Sequence, residues 1–172
     1  MLISLDTPHQ IHKKYQAYLL LSEYEQMVLR LLAVVYRPIG ITKLNTLIAE
    51  VGKADCFLNR EKLKGLKPEQ RTQLIAQGFI SQDQKGILLN PLLVNCLSFD
   101  CVKEDSYQSL VYCIEQVLPL RTNDPWGNNN HTELYFLRDA YFTGKNIEPL
   151  LIDKIISEEN LNENWDCRWY SP

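Results

Sequence analysis

From residue 22 onward most apolar positions of the chain recur at helical spacing, and at one place that period gives way to a strand's. Ser22-Glu23-Tyr24-Glu25 has the form of a capping box, in which the Ser22 hydroxyl takes an orphan backbone N–H and Glu25 reaches back to the N-cap. Behind it Tyr24, Val28, Leu31, Leu32 and Val35 make one apolar stripe, so a helix is predicted that ends near Tyr36, ahead of Pro38 and Gly40. Thr42 is placed to cap a second helix, with Leu44, Leu47, Ile48 and Val51 inward and Gly52 as a left-handed terminator. Residues 53–66 are polar with Phe57, Leu58, Leu63 and Leu66 as apolar anchors: a third helix, or an irregular stretch containing one. Pro68 suits the first turn of a further short helix through Gln77, with Leu74 and Ile75 inward and Gly78 closing it.

At residue 79 the period becomes that of a strand. Phe79-Ile80 and Ile87-Leu88-Leu89 flank the polar run from Ser81 to Gly86, which predicts a β-hairpin with a flexible tip. Asn90-Pro91 stops the strand and starts a helix over Leu92, Leu93, Cys96 and Leu97. Beyond residue 100 the pattern is helical again: Tyr107, Leu110, Val111, Ile114, Val117 and Leu118 share a stripe that Pro119 closes. A loop from Arg121 to His131 separates this from helices over about 132–142 and 147–156, and the tail ends with Trp165, Trp169 and Tyr170.

Helix, helix, helix and hairpin within residues 22–90 resemble a winged helix-turn-helix. Three passages carry the likeness: SEYEQMVLRLLAVVY, the second helix ending at Gly52, and LIAQGFISQDQKGILLNP, where a helix ends in Gly and leads directly into strand, polar tip and returning strand. The stretch between Gly52 and Pro68 is longer and more polar than that family's pattern, which leaves open which segment is the recognition helix. A second passage, TELYFLRDAYFTGKNIEPLL, is similar to a segment that follows winged-helix-like regions in the N-terminal parts of large bacterial Swi/Snf-type helicases. That resemblance implies a fragment or stand-alone relative of such a bacterial protein, without a motor of its own. The expected fold is therefore mainly α with a small β-hairpin. It comprises an N-terminal arm or short helix at 1–21, a winged-helix domain at 22–98, and a helical C-terminal region with an acidic and aromatic tail at 99–172.

Charge narrows the function. The 172 residues carry a net charge of −3, but the first 90 hold twelve Lys/Arg against eight acids and the remainder six against thirteen. A polyanion-binding surface belongs to the first half, and the acidic second half is better suited to a protein partner. Five unpaired-looking Cys, no signal-peptide pattern and no apolar run long enough for a membrane span lead to the expectation of a cytoplasmic chain. No Gly-rich phosphate loop is present. His9/His12 and Cys96/Cys101 lack partner pairs, so neither a metal nor a cofactor is expected. His131 has no nucleophile motif beside it. The expectation is a non-enzymatic module with no small-molecule substrate.

The candidate DNA-binding residues are Lys53, Arg60, Lys62, Lys64, Lys67 and Arg71, with Lys85 on the hairpin tip. Such cations supply salt-dependent phosphate contacts to double-stranded DNA. The alternative is a protein-interaction or scaffold module, a homodimer included, without direct DNA contact. Ser22, Glu25 and Arg138 are the candidate structural residues. Arg138 lies mid-stripe among Leu134, Leu137, Tyr141 and Phe142, and Glu115 is its proposed partner.

Overall fold

A computed structural model describes residues 7–53, 64–118 and 141–142. Among them are six helices and one two-stranded sheet: α1 (Thr7–Leu19), α2 (Glu23–Val35), α3 (Ile41–Val51), α4 (Pro68–Ala76), β1 (Ile80–Asp83), β2 (Gly86–Leu89), α5 (Pro91–Lys103) and α6 (Tyr107–Val117). The chain divides into two compact units, residues 1–119 and 120–172. All of these elements lie in the first. In the second, the described Tyr141 and Phe142 meet edge to face, with ring centroids 5.2 Å apart. Arg138 and its expected pairing with Glu115 lie outside the described residues, as do the rest of the helix expected over about 132–142, the helix expected over 147–156 and the aromatic tail.

The core is built around α2. The capping box forms as its sequence dictates: Ser22 Oγ accepts from Glu25 N–H at 3.3 Å, and Glu25 Oε2 accepts from Ser22 N–H at 3.1 Å. Nine of the thirteen α2 residues are buried, more than one stripe, because α5, α6 and β2 all pack on this helix. Met27, Leu29, Ala33 and Val34 therefore join the predicted inward set. The helix ends at Tyr36, which takes a left-handed conformation at φ 54° and donates its N–H to the Leu32 carbonyl.

Helix α3 starts at Ile41 with Gly40 as N-cap, two residues earlier than a cap at Thr42 would have set it. Gly52, expected in the left-handed region, closes α3 at φ −68°. Lys53 N–H continues the turn onto the Glu50 carbonyl at 3.0 Å, so no handedness change is needed there. Leu44, Leu47, Ile48 and Val51 are buried as their spacing requires, with α6 packed on this helix.

The hairpin is tighter than its sequence implied. β1 and β2 pair antiparallel from Ile80↔Leu89 to Asp83↔Gly86, leaving only Gln84 and Lys85 as the turn. Asp83 Oδ1 accepts from the N–H of Lys85 at 2.7 Å and of Gly86 at 3.1 Å, so the tip is a fixed Asx-type turn. Ile39, just before α3, exchanges both backbone hydrogen bonds with Ile87 and adds a third, one-residue strand. Gly86 is required at that crossing: φ is +136°, and a Cβ would sit 2.6 Å from the Ile39 backbone.

Asn90 joins hairpin to helix. Its N–H reaches the Phe79 carbonyl, its side-chain amide donates to Gly78 O at 2.8 Å, and its Oδ1 caps α5 through Leu92 N–H. α5 runs on to Lys103, burying Leu93, Val94, Leu97, Ser98 and Cys101. α1 lies against α5, and the first 21 residues thus contain a helix rather than an extended arm. No helix among the described residues is long and apolar enough to cross a membrane.

Candidate nucleic-acid interface

Helix α4 is turned largely to solvent, as is α1, where Tyr18 is the buried residue. Of the nine residues of α4 only Leu74 is buried. Propensity and one apolar anchor would not hold so short a helix, so its ends carry the rest. At the entry, Pro68 occupies the first turn, where its missing N–H is not needed, and Gln70 Oε1 accepts from Lys67 N–H at 3.1 Å. At the exit, Phe79 N–H reaches Leu74 O and Gly78 N–H reaches Ile75 O, both at 2.9 Å, around Gly78 at φ +69°. That is a Schellman motif, and it turns the chain straight into β1.

Three side chains from other elements fix the two ends of α4. The segment leading into it is held by Tyr24, whose hydroxyl donates to Lys64 O at 2.8 Å, and by Asn45, whose Oδ1 accepts from Leu66 N–H at 2.9 Å. Leu66 itself is buried. At the other end Lys14 of α1 donates its ammonium to Gln77 O at 2.9 Å and stands 5.3 Å from the Phe79 ring centre. A cation on the last carbonyls of a helix complements its dipole, and the ring face adds a cation–π attraction.

The predicted cations fall into three places. Lys64, Lys67 and Arg71 accompany α4; Lys64 and Lys67 are exposed and Arg71 is half-buried on its flank. Lys53 stands exposed at the end of α3, where it pairs with Glu50 at 2.6 Å. Lys85 is exposed at the hairpin tip, two residues from Asp83. Arg60 and Lys62 lie outside the described residues.

A reading by charge passes over the residues that face outward on α4. Glu69, Thr72, Gln73 and Ala76 stand at i, i+3, i+4 and i+7, opposite Leu74, and all four are exposed. No sequence signal marks this face, because Ile75 reads as inward beside Leu74, whereas the structure leaves Ile75 exposed.

A second polar group links α1, α2 and α5. Arg30 of α2 donates through Nε to the Tyr18 hydroxyl at 2.7 Å and makes a two-pronged pair with Glu104, Nη2 to Oε1 at 2.8 Å. Tyr15 donates to both carboxylate oxygens of Asp100, at 2.9 and 3.1 Å. Burial, with the Arg30 cation opposing it, pushes Tyr18 up to about 12; burial and then the Asp100 hydrogen bond push Tyr15 up to about 12. Burial also raises Cys101 to about 11, which makes it a core thiol rather than a nucleophile. This network joins α1, α2 and α5 structurally. Among the described residues no group of three or more His, Cys, Asp or Glu converges as a metal site would require.

No family model matches the chain, nor does any curated protein or solved structure. What is established is a mainly helical protein with a small antiparallel hairpin, in an element order compatible with a winged helix.

Proposed function

We propose that residues 22–98 form a winged-helix module that binds double-stranded DNA without catalysing a reaction, with α4 as the helix that enters the major groove. The observation that carries this is the presentation of α4. A nine-residue polar helix is braced at both ends and anchored by Leu74 alone, so its outer face is offered to a ligand. Its diameter with side chains, about 10–12 Å, matches a major groove about 12 Å wide. The hairpin follows α4 directly, and Ser81 to Lys85 are all exposed on it, in the position of a wing that touches the adjacent backbone. Lys64, Lys67 and Arg71 supply phosphate contacts around the helix.

The test is duplex binding by the full chain across a salt series. Three phosphate contacts give a slope of log affinity against log salt of about −3, and Lys67→Ala should flatten it by about one. Absence of binding at low salt would overturn the reading.

The alternative is a protein-binding module, favoured by the pairing of Lys53 with Glu50 and by the exposed side chains of Ile75, Phe99 and Tyr112. The kinship with the N-terminal regions of bacterial Swi/Snf-type helicases belongs to the same proposal, and would place such a module in a DNA-processing assembly in the cytoplasm.

A further inference from the structure

The outward stripe of α4 has a chemical bias that its charge does not reveal. Glu69 is acceptor-only when ionised. Thr72 has already committed its hydroxyl proton, donating to Pro68 O at 3.0 Å, so toward a ligand it too is an acceptor. Gln73 offers both a donor and an acceptor, and Ala76 offers a methyl group. The helix's one arginine, Arg71, is half-buried on the flank rather than on this stripe. The outer face of α4 is therefore rich in acceptors and has one neutral amide donor.

Base edges in the major groove differ in just this respect. Guanine presents only acceptors, N7 and O6, and is bound by cationic donors. Adenine and cytosine present exocyclic amino groups, and thymine a methyl group. We propose that α4 selects DNA through the exocyclic amino groups of adenine and cytosine on one strand and discriminates against guanine at the contacted positions. This deepens, and rests on, the DNA-binding reading above. Gln73 pairs in two-pronged fashion with N6 and N7 of an adenine. Glu69 and Thr72 accept from amino groups on the same strand, with Glu69 favouring cytosine N4. Ala76 lies against a thymine methyl group. From Glu69 to Ala76 the helix rises about 10 Å, which spans about three base steps.

The experiment is selection from a randomised duplex library with the full chain at low salt. The winning duplex is then remade with single analogues. The expected result is a short core with adenine and cytosine on one strand. Replacing its key adenine by purine, which lacks the 6-amino group, should weaken binding about five- to 150-fold, the range of one good two-pronged base contact. Gln73→Ala should remove the preference at that pair alone with unchanged melting, and Gln73→Asn should retain it. Two results overturn the inference while leaving the DNA-binding reading standing: a core read through guanine, or equal binding to all sequences with Lys67 still required. Absence of any duplex binding at low salt overturns both.

Discussion

Helices α2 and α4 come from the same unit and are built on opposite terms. α2 buries nine of thirteen residues and is held by what surrounds it. α4 buries one of nine and is held by its ends: Gln70 at the entry, the Schellman turn at Gly78, and Lys14 on its last carbonyl. Each fully buried aliphatic side chain contributes about 1.5–3 kcal/mol, so the interior of α2 outweighs Leu74 several-fold. End-bracing orients a helix while leaving its outer side chains free of structural duty. The comparison teaches that stability and recognition can be separated residue by residue within one small fold.

The largest expected break comes from hollowing the core helix. Leu29→Ala, at a fully buried site, should cost about 2–5 kcal/mol in denaturant unfolding. A smaller loss sharpens the role of the polar network beside it. Arg30→Ala leaves the buried Tyr18 hydroxyl and Glu104 without their partner, and should cost about 1–3 kcal/mol in the same measurement. Ser22→Ala removes the α2 cap and should cost about 1 kcal/mol. On α4 the expectation reverses. Gln73→Ala and Thr72→Ala should move stability by no more than about 0.5 kcal/mol, while changing which DNA is bound. A large loss of stability from either would erase the distinction between the two helices.

Alkaline titration tests the same division from the core side. Cys101, raised to about 11 by burial, and Tyr18, raised to about 12, both hold their protons more tightly when folded. Where the native state binds more protons than the unfolded state, stability falls as pH rises. Their contribution is thus fully present below about pH 9, the ordinary thiol value, and is lost as pH climbs through 11 to 12. Chemical denaturation repeated between pH 8 and 12 should show the decline, and Tyr18→Phe should shrink the part of it above pH 10.

What could be read from sequence follows the same contrast. The Ser22–Glu25 box, the inward stripe of α3 and the Gly78 terminator are local or periodic signals, and the structure carries each of them. The all-round burial of α2 was not legible, because it depends on three neighbours packing on one helix. Tyr36 takes the left-handed position that a glycine would have announced. Gly52 announced one that Lys53 makes unnecessary by continuing the turn. Lys14 reaches Gln77 across 63 residues, a contact no local pattern encodes. At the candidate interface, charge singled out Lys64, Lys67 and Arg71, but the faces of α4 became distinguishable only once Leu74 alone proved to be buried.

The crossing of Gly86 over Ile39 has a historical consequence. A side chain at 86 would drive a wedge between the hairpin and its single-residue third strand, and no L-residue settles readily at that dihedral. Lineages descending from this chain are then free to lengthen, recharge or rewrite the hairpin at Gln84 and Lys85, where nothing packs. They must keep residue 86 as glycine while they do so. Variation at the tip and invariance two steps later would be the inherited signature of this sheet.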